Sequence, residues 1–143
     1  MTHVVGIHIS EDTWPGRPHA VDEVEAIAHV GLVGDRKFGA KRQISIVSLD
    51  ELADAAARLG SEIPPGSTRR QITISDGRFD RSPGSTIRVG DVVVSVNGDC
   101  SPCDEMEQSI GPGARAALID LAGVTGTIVE GGVIRVGDSV EIG

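Results

Sequence analysis

The sequence predicts a mixed α/β domain, mostly antiparallel β, wound into a closed or partly closed β-barrel with a few short helices. Three observations carry that expectation. The 143 residues include 19 glycines and 7 prolines spread along the chain, which implies many tight turns between short elements. Most apolar runs are short and rich in β-branched residues, as half-buried strands are. Finally, Ile87-Arg88-Val89-Gly90-Asp91-Val92-Val93-Val94 recurs as Ile134-Arg135-Val136-Gly137-Asp138-Ser139-Val140-Glu141. Each copy reads as strand, Gly-Asp turn and strand, and two copies suit the corners of a closed barrel better than a solenoid, which needs more repeats at a constant period.

In chain order, Val4 to Ile9 is a β-branched strand that gives way at Ser10 to a polar loop, Glu11 to Ala20, containing Trp14-Pro15-Gly16-Arg17-Pro18. A loop that long in a compact domain is often functional. Val21 to Val30 has apolar residues at helical spacing, yet Glu23 to Ala28 alternates as a strand, and the strand is the reading preferred here. Gln43 to Val47 alternates polar and apolar, and Ser48-Leu49-Asp50-Glu51 is a capping box opening a helix over Leu49 to Leu59, with Gly60 as its left-handed stop. Ile63-Pro64-Pro65-Gly66 is a turn, after which Arg69-Arg70-Gln71-Ile72-Thr73-Ile74 reads as a strand entered through two cations. Gly111-Pro112-Gly113 precedes a second helix, Ala114 to Leu121, and Val124 to Val129 turns at Gly131-Gly132 into a last hairpin.

The size fits one domain, residues 1–143, large enough to bury a core without disulfides or metal. Two cysteines and no charged-then-apolar leader point to a reducing, cytoplasmic setting, and no apolar run approaches the roughly 20 residues that span a bilayer. A net charge of −8 repels nucleic acid and anionic membrane unless the arginines gather in one patch. With one tryptophan, two phenylalanines and no tyrosine, base-stacking platforms are also missing.

Candidate chemistry concentrates in Gly98-Asp99-Cys100-Ser101-Pro102-Cys103-Asp104-Glu105, which holds both thiols between a strand, Asp91 to Asn97, and a short acidic turn running to Ile110. Asp104 is expected to cap that turn, with the amides after Cys103 directed at its sulfur. That arrangement favours a thiolate, whereas Asp99, Asp104, Glu105 and Glu107 oppose it unless arginines from elsewhere fold over the site. Pro102 stiffens the approach to Cys103, while Cys100 follows the turn Asn97-Gly98-Asp99 and is expected to be a mobile, ordinary thiol of pKa about 8.5. The spacing is also that of a redox dithiol or half a zinc knuckle. The remaining zinc ligands would have to be His3, His8, His19 and His29, none paired at a ligand spacing, and the alternating strand and helix plan of a thioredoxin-like domain is lacking. A pair of cysteines without any role stays open as well.

Gly31-Leu32-Val33-Gly34-Asp35-Arg36-Lys37-Phe38-Gly39, followed by Lys41 and Arg42, could bring amides and cations onto a phosphate, although a solvated turn explains the same residues. Arg69 and Arg70 read either as a solvated edge or as planar forks for an anion.

Taken together, Val5-Gly6-Ile7-His8-Ile9, the Gly31-to-Arg36 loop, Gln43-Ile44-Ser45-Ile46 before a helix, Arg70-Gln71-Ile72, the two Gly-Asp units and the Pro102-Cys103 pair resemble a stand-alone MOSC domain, the module at the C-terminus of molybdenum cofactor sulfurases. The resemblance covers almost the whole length and implies a mixed, largely antiparallel, pyruvate-kinase-barrel-like fold. It implies that Cys103 is a sulfur carrier, as a persulfide, or a molybdenum ligand, that Arg36, Lys41, Arg69, Arg70 and Gln71 surround an anionic molybdopterin, and that a cysteine desulfurase or a molybdoenzyme donates or accepts sulfur. Some relatives reduce N-hydroxylated compounds at bound molybdenum; a non-enzymatic binding adaptor and a C-x-x-C redox protein are the alternatives. Gln71 stands where asparagine is usual, and Lys37 where an aromatic or histidine is common. Pyridoxal phosphate, a label attached to the family, is not expected on this chain, because Lys37 and Lys41 are its only lysines and both fall in the glycine-rich loop region.

Overall fold

A computed structural model describes residues 1–11 and 18–143; the segment Trp14 to Arg17 of the long polar loop lies outside the described residues. The chain forms strands β1 (Val4–Ile9), β2 (His19–Val21), β3 (Glu23–Ile27), β4 (Gly31–Leu32) and β5 (Ile44–Ser48), then helix α1 (Leu49–Leu59). Strands β6 (Ile72–Ile74), β7 (Thr86–Val89) and β8 (Val92–Asp99) follow, then helices α2 (Asp104–Ile110) and α3 (Ala114–Ala117), and finally β9 (Val124–Glu130), β10 (Gly132–Arg135) and β11 (Val140–Ile142).

The fold is mixed α/β with a mostly antiparallel sheet, as expected. Eight strands run in the order β11-β7-β8-β9-β5-β6-β1-β2, and a second sheet runs β10-β3-β4. Among the described residues only β5 and β6 pair in parallel, and α1 makes their crossover. The sheets do not close into a barrel, which corrects the expectation of a closed one. The reason lies in the free edge of β1, whose residues Ile7 to Ile9 are already paired with β2. What remains meets the chain around the start of β11, at the other end of the large sheet, through an isolated bridge, His3 to Ser139, flanked by bonds from the Val140 amide to Thr2 O (2.9 Å), from the Val4 amide to Asp138 O (2.9 Å) and from the Gly137 amide to Val4 O (2.8 Å).

The two Gly-Asp units are not equivalent corners. Gly90-Asp91 joins β7 to β8 within one sheet, whereas Gly137-Asp138 carries the chain from the small sheet into β11 of the large one. The expected last hairpin at Gly131-Gly132 is likewise a sheet change, with β10 pairing to β3 along Gly132 to Arg135. Gly131 is required there by close approach, since a Cβ would sit 2.6 Å from Ala26 O.

Alternation places Ile7, Ile44, Ile46, Ile72, Ile74, Ile87, Ile128 and Ile134 in one core between the sheets. A second apolar cluster, Val47, Leu52, Ala55, Met106, Leu118 and Leu121, lies under the three helices. Helix α1 matches its expected span, with Gly60 left-handed at φ 80°. Its capping box is only half formed. Ser48 Oγ accepts from the Asp50 amide, but Glu51 turns inward, is 2% exposed, and accepts from Arg81 instead of the cap backbone. Helix α3 stops four residues earlier than expected, and the chain then continues in turns, with Asp120 left-handed at φ 63°.

Candidate functional site

Strand β8 delivers the thiol loop, and two arginines fix it. Arg81 grips Glu51 with both terminal nitrogens (2.9 and 2.7 Å) and Asp99 through Nε (2.8 Å), so the last residue of β8 is tied to α1. Hydrogen bonding to Glu51, and then to Asp99, raises the Arg81 pKa, with their negative charge adding to it. Arg70, buried beside β6, donates from Nε to Ala122 O (2.8 Å) and from Nη2 to Cys100 O (3.3 Å) and Ser101 O (3.2 Å). Three carbonyls thus hold its guanidinium without neutralising it.

The loop opens on a cavity of about 150 Å³, walled by residues from β1, the 35–42 loop, the 68–71 segment and the thiol loop. Both Cys100 and Cys103 line it, together with Arg36, Lys37, Arg42, Arg69 and Arg70. An acidic chain of net charge −8 therefore gathers five cations around its two thiols. Cys103 is exposed and Cys100 buried, and neither is in a disulfide. Burial pushes the Cys100 thiol up, with Arg70 as the largest opposing influence, so it is not the mobile ordinary thiol expected from its turn.

Arg69 adopts φ 63°, a conformation uncommon for a residue with a side chain. Burial lowers its pKa, the nearby Arg36 guanidinium lowers it further, and Glu105 and Cys103 act in the opposite sense. Two guanidiniums held close enough to repel are stabilised by an anion between them.

Three of the four acidic residues near the thiols are drawn off, Asp99 by Arg81, Asp104 by Arg115 Nη1 (2.8 Å) and Glu107 by the Arg115 amide (3.1 Å), whereas Glu105 stays on the cavity wall. Asp104 does not cap α2. Cys103 holds the N-cap position, with its side chain making no cap hydrogen bond, while its carbonyl accepts from the Glu107 amide at 3.1 Å.

Gln71 is a strut. Its Oε1 accepts from the Ser45 amide at 2.8 Å and its Nε2 donates to Asp35 Oδ2 at 2.8 Å. Buried Asp35 also accepts from the amides of Ser10 (2.9 Å) and Lys37 (3.0 Å), so it locks the glycine-rich loop against β1 and β6. Of the residues expected around an anion, Arg36, Arg69, Arg70 and Gln71 line the cavity; Lys41 is exposed and does not. Lys37 and Arg42, two of the cations in and beside the glycine-rich loop, also line it, as does His8, for which the sequence suggests no anion-binding role. Among the described residues, no group of three or more His, Cys, Asp or Glu is placed to hold a metal ion.

The model of the MOSC domain family matches residues 33–141, most of the chain. This chain belongs to the MOSC domain family. The match takes in the Gly-Asp-Arg loop, Arg70-Gln71 and the Pro102-Cys103 pair. No curated protein matches the chain. Among solved structures, it is similar to the YuaD protein of Bacillus subtilis at 22% identity, over 99% of this chain and 96% of that one, with a TM-score of 0.84. It is also similar to YiiM from Geobacillus stearothermophilus (17% identity, 100% and 75% coverage, TM-score 0.77) and to YiiM from Escherichia coli (15%, 100% and 70%, TM-score 0.67). At these identities the likeness speaks for the MOSC fold alone. No helix among the described residues is long and apolar enough to cross a membrane.

Proposed function

We propose that this MOSC domain binds the anionic, phosphate-bearing molybdenum cofactor in the cavity lined by Arg36, Arg69 and Arg70, and presents Cys103 to it as molybdenum ligand or sulfur carrier. The observation that carries the reading is the exposed Cys103 sulfur on the same cavity wall as five cations. The donor set fits the group, since a thiolate is a soft ligand suited to such a metal and planar guanidinium forks suit phosphate. When bound, the cofactor supplies the redox or sulfur-accepting metal centre.

The chain's own residues supply position and charge. Arg36 and Arg69 hold the anionic end, Arg70 and Arg81 fix the loop that aims Cys103, and Asp35 with Gln71 keeps the loop carrying Arg36 in place. In sulfur carriage, Cys103 sulfur attacks the outer sulfur of a donor persulfide, such as that of a cysteine desulfurase; a new S–S bond forms and the donor leaves as a thiol, with no net oxidation. Lys37, on the cavity wall, and Lys41, outside it, are given no Schiff-base role.

The test is a titration with molybdenum cofactor, read by molybdenum retained on the desalted protein. Wild type retains about one equivalent, Cys103→Ser and an Arg36→Ala/Arg69→Ala double variant lose most of it, and Cys100→Ser keeps it. No retention by wild type removes the cofactor arm of the proposal and leaves sulfur carriage by Cys103 or a non-enzymatic adaptor.

A further inference from the structure

His8 enters none of the roles above, yet its ring is set into the cavity wall with unusual care. It lies on β1 between two glycines. A Cβ on Gly66 would stand 2.7 Å from His8 Nε2, and one on Gly6 would stand 3.3 Å from Cε1. At Gly66 a side chain would displace the ring and the backbone is also left-handed, at φ 87°, while at Gly6 a Cβ would be a tight contact. Within the slot, Nδ1 is sealed from solvent and has no hydrogen-bond partner among the described residues. The ring lines the cavity, and with Nδ1 sealed its other nitrogen, Nε2, is the one an occupant can reach.

We infer that His8 is a binding residue of the cavity, a neutral imidazole whose Nε2–H donates a hydrogen bond to an oxyanion held between Arg36 and Arg69. The inference rests on the anion pocket proposed above. The tautomer follows from the sealed Nδ1. A neutral ring carries one proton, and a proton on Nδ1 would be a buried N–H with no acceptor, which is rarer and costlier than an unshared lone pair in the same place. The proton therefore sits on Nε2, where the cavity occupant can accept it. Burial, and secondarily His19 on neighbouring β2, lower the His8 pKa, which keeps the ring a donor through one nitrogen only. A fixed neutral donor adds direction to what Arg36 and Arg69 supply as charge, and so selects a tetrahedral oxyanion with a third oxygen to offer.

Inorganic phosphate is the probe. Long-range proton–nitrogen NMR on histidine-labelled protein near pH 7.5 should show His8 as the Nε2–H tautomer. Phosphate should then shift the Nε2–H signal downfield and leave His29 unmoved. Side-chain mimicry supplies the second readout. Gln places an amide nitrogen where Nε2 stands and Asn places one where Nδ1 stands, so His8→Gln should bind phosphate within about threefold of wild type and His8→Asn at least tenfold more weakly. An Nδ1–H tautomer overturns the inference, as does phosphate binding that leaves His8 signals and both variants unaffected, with the anion pocket still standing. A wild-type protein that takes up no phosphate overturns the pocket reading itself, and the donor role with it.

Discussion

Replacing Arg81 by Met should unsettle both the core and the thiol loop. The guanidinium is 23% exposed at its side chain and bonds both oxygens of Glu51, which is 2% exposed, as well as Asp99. Met keeps much of the packing volume but leaves the Glu51 carboxylate buried, with only the Phe79 amide (3.2 Å) among the described residues still donating to it. Breaking a buried pair from one side costs about 3 to 5 kcal/mol, and the partial exposure of Arg81 places this case near 3. For a chain of 143 residues that corresponds to a fall in Tm of roughly 6 to 12 °C. Thermal unfolding followed by circular dichroism measures it. A companion Glu51→Leu/Arg81→Met double variant, which removes the stranded charge, should lie closer to wild type than Arg81→Met does. A single variant within about 2 °C of wild type, or a double variant less stable than the single, would refute the reasoning.

Three further outcomes follow from the same contacts. Cys103 should be alkylated by iodoacetamide well before Cys100 near neutral pH, because Cys100 is buried and burial raises its pKa; its labelling should become appreciable only at a pH above that of an ordinary thiol, and peptide mapping over a pH series reads the order. Arg70→Met removes charged donors from the carbonyls of Ala122, Cys100 and Ser101, so stability should fall by about 2 kcal/mol in urea unfolding and Cys100 should label faster; unchanged Cys100 labelling would mean that Arg70 does not hold the loop. Gly131→Ala forces a methyl against Ala26 O, and a loss of about 1 to 3 kcal/mol is expected, with a neutral result showing that the β9–β10 corner yields easily.

What the sequence disclosed was whatever depends on local chemistry. The strand reading of Glu23 to Ala28 rested on alternation, and β3 takes Glu23 to Ile27 with Val24 and Ala26 buried. Ser48 and Gly60 bound α1 through groups within a few residues of one another. Barrel closure was not legible, because it depends on which strand claims the free edge of β1, a question of long-range pairing. Glu51 shows the same limit: a capping-box glutamate by spacing, it is claimed by an arginine 30 residues away. At the site, the family motifs pointed to Arg36, Arg70 and Cys103, but spacing could not distinguish an arginine that faces a ligand from one that clamps carbonyls, as Arg70 does. Lys41 was grouped with Arg42 by adjacency, and only Arg42 reaches the cavity. His8 carried one readable sign, the glycine two residues before it.

The most direct measurement is mass spectrometry of wild type, Cys103→Ser and Cys100→Ser after exposure to a persulfide donor and, separately, to molybdenum cofactor. The account predicts a sulfur adduct or retained cofactor on wild type and on Cys100→Ser, and neither on Cys103→Ser. Equal loss in both variants would instead make the pair a redox dithiol, and undiminished loading of Cys103→Ser would contradict the claim that Cys103 is the working thiol.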